Sequence, residues 1–577
     1  MTDIAALVAN NMDIWSSATR RKSGTGRGGG KRISLHGLER LRGLILDLAV
    51  RGKLVPQDAE DEPASELLKR IAIERTENGQ KVKYSNKPRV GAHAHGTGSG
   101  LPIGWASVPL NEILLGHVGG GTPSKNDNRY WGGDIPWASV KDVGKSKYVA
   151  DTQDRITQLG LDKSSANVIP AGNIILVTRM GLGQLSINTI DLAINQDLRA
   201  IFISQYIDID YCYNFFLTHD FEGSGMTVKG VKLPDLLNTQ FPLPPQAEQQ
   251  RIVVKVDELM ALCDTLERES ADAMAAHQTL VEELLATLVN STSAADLAAN
   301  WARLETHFDT LFTTYISIDA VKQTILDLAV RGKLVEQDAA DEAASELIKQ
   351  TMASKLALVK QGKAKRDKPL PKVKSSDAPF ELPGGWAWAR FPELGIFERG
   401  KSKHRPRNDP KLFRPGIYPL VQTGEVARSN GVIQEFHSEY SEMGLAQSKL
   451  WPTGTLCITI AANIADVATL GFDACFPDSV VGFIPSKPVP NPQYFLYFMK
   501  TAKADLLKFA PSTAQKNINL GILEMVLIPI PPLAEQQRIV AKVDALMVLC
   551  DALKARLAEA AQIRCHLADA VVEKAAA

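Results

Sequence analysis

Two stretches decide how the chain is built: residues 45–69, ILDLAVRGKLVPQDAEDEPASELLK, and residues 325–349, ILDLAVRGKLVEQDAADEAASELIK. They differ at four positions and stand 280 residues apart, so the sequence contains an internal repeat. A second pair follows the same order: residues 247–263, AEQQRIVVKVDELMALC, return at 534–550 as AEQQRIVAKVDALMVLC, with three differences. Between these blocks lie residues 101–245 and 382–532. Both open alike, with LPIGW and LPGGW, and close at a double proline, but their interiors differ almost everywhere. Each has about 145 residues, enough for one domain.

Runs such as NIILVT (173–178), RAIFIS (199–204) and LCITIA (456–461), punctuated by Gly, Pro and Asn, predict strands. Helical stretches follow them, YCYNFFLTHDF and PQYFLYFMKTA, so both variable domains are expected to be mixed α/β. After each double proline the apolar period lengthens: Ile252, Val256, Leu259, Cys263 and Leu266, and again Ile539, Val543, Leu546, Cys550 and Leu553. This spacing fits a coiled-coil seam or one helix packing on its own domain. The resulting parse is a flexible basic arm (1–37), a helical repeat region (38–76), a linker (77–100) and the first variable domain (101–245). A long central helix (246–290), a helical region with the second repeat copy (291–353), a linker (354–381), the second variable domain (382–532) and a terminal long helix (533–577) complete it.

At 577 residues the chain should hold about three to five structural units. No apolar run reaches the roughly 20 residues of a membrane helix, and the N-terminus carries no export signal, so a cytoplasmic protein without membrane contact is expected. Six scattered cysteines without a CxxC pair read as reduced core residues. Lys+Arg and Asp+Glu are both 65, so only local charge can argue for nucleic acid.

Local charge is compatible with DNA. Residues 398–414, ERGKSKHRPRNDPKLFR, set seven basic residues against two acidic ones, and Lys401, Lys403, Arg405 and Arg407 are candidates for phosphate or base-edge contacts. A solvated charge run explains them equally well. In the first domain GGGTPSKNDNRYWGGDIPW reads as a glycine-rich turn rather than a phosphate cradle. Its neighbourhood supplies Lys125, Arg129, Lys141, Arg179 and Lys229, and in the second domain Gln422, Thr423, Lys516 and Asn517 join the set. Polar positions that look exposed also agree between the copies: Arg51, Lys53, Glu248, Gln249, Gln250 and Arg251 against Arg331, Lys333, Glu535, Gln536, Gln537 and Arg538. Solvated positions drift after duplication, so these are expected to dock a partner or the other half of the chain.

No P-loop, HExxH, GxSxG or amino-methyltransferase motif is present, and the chain is expected to catalyse nothing by itself. The rival reading is a coiled-coil scaffold whose domains bind proteins without sequence-specific DNA binding.

The repeated PP(Q/L)AEQQRIV and LDLAVRGKLV blocks, the GGTPSKNDNRYWGGDIPW opening and PSTAQKNINLGILEMVLIPIPPLAEQQ (511–537) together resemble the specificity subunits of Type I restriction-modification enzymes. The resemblance covers nearly everything from Leu38 onward. It implies two target-recognition domains separated by long antiparallel helices in a pseudo-twofold α/β (α+β) chain, each domain reading one half of a split double-stranded DNA sequence. It also implies two methyltransferase subunits and two restriction subunits as partners. S-adenosylmethionine for adenine methylation, and ATP and Mg2+ for restriction, are then expected in those partners and none in this chain. The extension before Leu38, with six basic residues between Arg20 and Arg32, lies outside the motif set, and GMTVKGVKLPDLLNTQFPLPP departs from QKNINL.

Overall fold

The computed structural model describes residues 4–22, 32–78, 100–219, 221, 230–366, 368–489, 492–508 and 518–576. It divides into two compact units, Met1–Ala273 with Glu559–Ala577, and Met274–Ala558.

In the first unit the repeat block forms the helix His36–Val50, which buries Leu38, Leu41, Leu44, Ile45 and Leu48 along one face. In the second unit it forms Tyr315–Val330, opened by a capping box between Thr314 and Ser317. Gly52 and Gly332 end these helices at φ 66° and 67°, and the helices Ala64–Asn78 and Ala344–Lys360 follow.

The variable domains share one topology. In the first, a five-stranded sheet runs Leu114–Gly119, Leu198–Ile203, Ile174–Val177, Leu185–Asn188, Tyr148–Val149, beside a four-stranded sheet Asp154–Ile156, Trp131–Ala138, Leu192–Ile194, Val168–Ile169. In the second the order is Gly395–Arg399, Val480–Pro485, Leu456–Thr459, Val467–Leu470, Val432–Ile433, beside Ser438–Tyr440, Tyr418–Leu420, Ala474–Cys475, Leu450–Trp451. The central strands Ile174–Val177 and Leu456–Thr459 are buried at every residue, which is why they read as continuous apolar runs without alternation. A two-stranded pair, Ala106–Pro109 with Gln240–Leu243 and Ala387–Ala389 with Ile528–Ile530, brings the entry and exit of each domain together. The expected helices appear as Ile209–Thr218 and Gln493–Lys508.

The long helices are Gln246–Val289 and Leu533–Ala576, each 44 residues or about 66 Å. Each begins in one unit and ends in the other. The core of the first unit contains the stripe Ile252, Val256, Leu259, Cys263 and Leu266, the repeat helix, and Cys565, Ala568, Val572 and Ala575 from the end of the terminal helix. The second unit's core likewise joins Ile539, Val543 and Cys550 to Val281, Leu285 and Leu288 from the end of the central helix. The stripe is therefore buried within a unit's own core. Two lysines from the repeat block close these helix ends, where exposed carbonyls favour a cation. Lys53 Nζ donates to the Ala576 carbonyl at 3.1 Å, and Lys333 Nζ to the carbonyls of Val289 and Ser291 at 2.7 and 2.8 Å.

Three expectations need correction. The N-terminal arm is not a free tail: Ile4–Asn10 and Met12–Ser17 are helical, Trp15 is fully buried, and Thr19–Lys22 pairs with Arg32–Leu35. The stretch between those strands lies outside the described residues. The second linker also begins later than its composition suggests, because the helix Ala344–Lys360 runs through its first residues.

The third correction concerns docking. Glu248, Gln249, Glu535 and Gln536, polar and apparently exposed in sequence, are all buried. Glu248 accepts hydrogen bonds from Trp105 Nε1 at 2.9 Å and Gln57 Nε2 at 3.1 Å, and Glu535 accepts from Trp386 at 3.0 Å and Gln337 at 3.3 Å. Gln249 and Gln536 donate to the carbonyls of Pro244 and Pro531. Arg251 pairs with Asp61, and Arg538 with Asp341. RGKLV, LPxGW and PPxAEQQR are thus pieces of one joint, built once in each unit, that clamps a variable domain onto the helices. Among the docking candidates Gln250 and Gln537 are exposed, Arg51 is held by Asp47, and Arg331 lies over the Phe380 ring at 5.1 Å.

Burial pushes the Glu248 and Glu535 carboxyls above their ordinary range, against the opposing pull of their hydrogen-bond donors. In the interval between the ordinary and raised values the folded chain keeps protons the unfolded chain has lost, so these groups make stability fall as pH rises through it. Urea titrations across that interval should show this downward slope, and Glu248→Gln with Glu535→Gln should remove their share of it. The double variant should match the wild type most closely at the acid end, where the buried carboxyls are protonated and, like an amide, carry no charge for burial to penalise.

Candidate nucleic-acid interface

The shared topology makes the loops of the two domains comparable residue by residue. After Trp131–Ala138 the chain turns through Ser139, whose amide donates to Asp142 at 2.9 Å. After Tyr418–Leu420 the Gln422 amide donates to Glu425 at 3.0 Å in the same way. Lys141 and Val140 in one domain therefore stand where Gly424 and Thr423 stand in the other. A second loop follows Ile174–Val177 and Leu456–Thr459. Its first carbonyl, Thr178 or Ile460, accepts from Val231 or Ile518 at 3.0 Å, and Met180 and Ala462 both take a left-handed backbone, φ 58° and 63°.

In the first domain these loops enclose a cleft of about 680 Å³ whose lining includes Lys125, Lys141, Trp131, Trp137, Met180 and Gln196. The two indoles meet edge to face at 5.1 Å, and each pins a backbone carbonyl of the glycine-rich loop: Trp131 Nε1 that of Ser124, Trp137 Nε1 that of Gly121. Gly120, which follows the strand Leu114–Gly119 directly, serves close packing: a Cβ there would fall 1.9 Å from the Ile194 carbonyl oxygen. Lys125 and Lys141 are exposed on this cleft. Arg129 is exposed too, but it forms a fork with Asp127 at 2.7 and 3.0 Å and holds that carboxyl at about 2, so its charge is largely offset. Arg179 stands 3.8 Å from Asp197. Lys229 lies outside the described residues.

In the second domain the basic run is a loop whose charges are partly consumed locally. Arg405 donates to the carbonyls of Ser402 and His404 at 2.8 Å, Arg407 pairs with Asp478 at 3.0 Å, and His404 with Asp409 at 2.9 Å. Lys403 is exposed and Lys401 half-buried. Gln422 and Thr423 belong to a cluster with the left-handed loop, where Asn463 Nδ2 donates to the Thr423 carbonyl at 3.4 Å. Lys516 and Asn517 lie outside the described residues. Charge alone missed Met180, Gln196 and Asn463. The signal for the last is positional: it follows a buried strand in the same loop of both domains.

All six cysteines are buried free thiols, with Cys212 and Cys457 pushed strongly upward by burial, which leaves them inert. Among the described residues no helix is long and apolar enough to cross a membrane.

A family model described as the Type I restriction modification DNA specificity domain matches twice, at residues 102–273 and 387–562. These spans coincide with the two variable domains and the long helices that leave them. The chain is 36% identical to the Type I restriction enzyme EcoEI specificity subunit of Escherichia coli, over 99% of both chains. It is 35% identical to the EcoAI specificity subunit of the same organism, again over 99% of both. A solved HsdS subunit from Thermoanaerobacter tengcongensis covers 82% of the chain and 97% of its own length at 20% identity, with a TM-score of 0.38. Two matched copies of one domain, on two copies of one joint, with relatives aligned from end to end, place this chain in the family of Type I restriction-modification specificity subunits.

Proposed function

We propose that each variable domain reads one half of a bipartite double-stranded DNA sequence and that the chain itself is non-catalytic. The helical frame docks two methyltransferase subunits, joined by two restriction subunits. S-adenosylmethionine, used to methylate adenine at N6, and the ATP and Mg2+ used for restriction are held by those partners. The observation that carries the reading is the pairing of like and unlike: one topology and one joint occur twice, yet equivalent loops carry Lys141 and Met180 in one domain and Gly424 and Ala462 in the other. Two readers of different half-sites require that combination. Gln250 and Gln537 are the docking candidates whose side chains the joint leaves outward.

The test is co-expression with the methyltransferase subunit and genome-wide mapping of methyladenine. A split motif is expected, and exchanging residues 382–532 for another reader should change one half and leave the other. Lys125→Ala and Lys141→Ala should each lower the slope of log affinity against log salt by about 1 if they contact phosphates. Absence of sequence-specific DNA binding, with protein binding that survives high salt, would favour a protein scaffold instead.

A further inference from the structure

The left-handed loop shared by the variable domains carries a feature that charge does not explain. Its tip in the first domain is Met180, 67% exposed at φ 58°. That backbone disfavours any side chain but glycine, and exposure leaves a long apolar chain in water. The loop is nevertheless well tied. Val177 N donates to the Gln184 carbonyl at 2.8 Å, Val231 N to the Thr178 carbonyl at 3.0 Å, and Arg179 is bridged to Gly230. A methionine is thus held outward on a fixed bend at the edge of the cleft that Lys125, Lys141 and Gln196 line. The second domain keeps the bend at Ala462, φ 63°, and replaces the long side chain by a methyl group. The geometry is retained while the tip changes, which marks the tip as a point of difference between the readers.

Resting on the DNA-reading function proposed above, we infer that Met180 is a specificity-determining residue of the first domain, packing its side chain against the 5-methyl group of one thymine in the major groove. The lysines and Gln196 on the same cleft are hydrogen-bonding groups of the kind that read major-groove base edges. Thymine is the base that displays a methyl group there.

The experiment uses the full chain co-expressed with its methyltransferase subunits, and compares wild type with Met180→Gly, Lys125→Ala and Lys141→Ala. Glycine suits the bend, so Met180→Gly should fold with an unchanged or raised melting temperature. Its methyladenine map should show the first half-motif relaxed at one A·T position and the second half intact. With the motif known, replacing that thymine by uracil in a duplex should weaken wild-type binding about tenfold and leave Met180→Gly unaffected. If Met180→Gly keeps the motif while the lysine variants weaken binding or alter the first half, the role of Met180 is overturned and the DNA reading stands. If none of the three variants changes the motif or the binding, the assignment of this cleft to DNA falls as well. A relaxed motif with wild-type binding indifferent to uracil overturns the methyl contact.

Discussion

Gly332→Ala is expected to destabilise the second unit by about 2–4 kcal/mol, the sum of a left-handed backbone forced on an L-residue and an overpacked contact. Gly332 ends the repeat helix at φ 67°, and a Cβ there would lie 2.5 Å from Pro383 Cγ and 3.0 Å from Trp386 Cζ2. The proline and tryptophan cannot retreat freely, because the same indole donates to the buried Glu535. Gly52→Ala should do the same to the first unit, where the Cβ would fall 2.4 Å from Pro102 Cγ. Gly454→Ala separates the two contributions: its φ is 82° but nothing lies within 4 Å, so only the conformational cost of about 1 kcal/mol should appear. Chemical denaturation of the three variants measures the difference. Equal losses at Gly332 and Gly454 would show that the joint is looser than described.

Deleting Glu559–Ala577 should have the largest effect, felt in the unit farther along the sequence from the cut. The deletion removes Cys565, Ala568, Val572 and Ala575 from the first unit's core. It also removes Asp569, which pairs with Arg40 at 2.7 Å and His36 at 3.1 Å, and the carbonyl that receives Lys53. Losing several buried apolar side chains costs about 5 kcal/mol or more, comparable with the whole stability of an ordinary domain. Limited proteolysis should then cut within Met1–Ala273 and spare Met274–Ala558, whose core keeps Ile539, Val543 and Cys550. Cleavage confined to the new C-terminus would refute the shared core.

These two predictions rest on parts of differing legibility. The repeat was plain in the sequence because the letters recur, and the strands at 174–177 and 456–459 because buried runs are uninterrupted. The joint was not plain. Glu248 and Gln249 belong to residue types usually found in solvent, and their partners Trp105 and Gln57 stand far away in sequence, so retention between copies suggested an outer face. At the interface, counting basic residues took Arg129 and Arg407 at full value, although Asp127 and Asp478 offset them. Met180 is uncharged, so a search for basic and polar residues does not reach it; its backbone angle and exposure single it out.

The exchange of helix ends bears on biosynthesis. A ribosome delivers residues in order, and domains generally fold as they emerge. Here the first unit's core stays incomplete until the whole of Met274–Ala558 has been made, since it needs Ala575. A message that stops before Glu559 yields a product with one sound reader and one unfinished, and quality-control proteases would meet the unfinished one first.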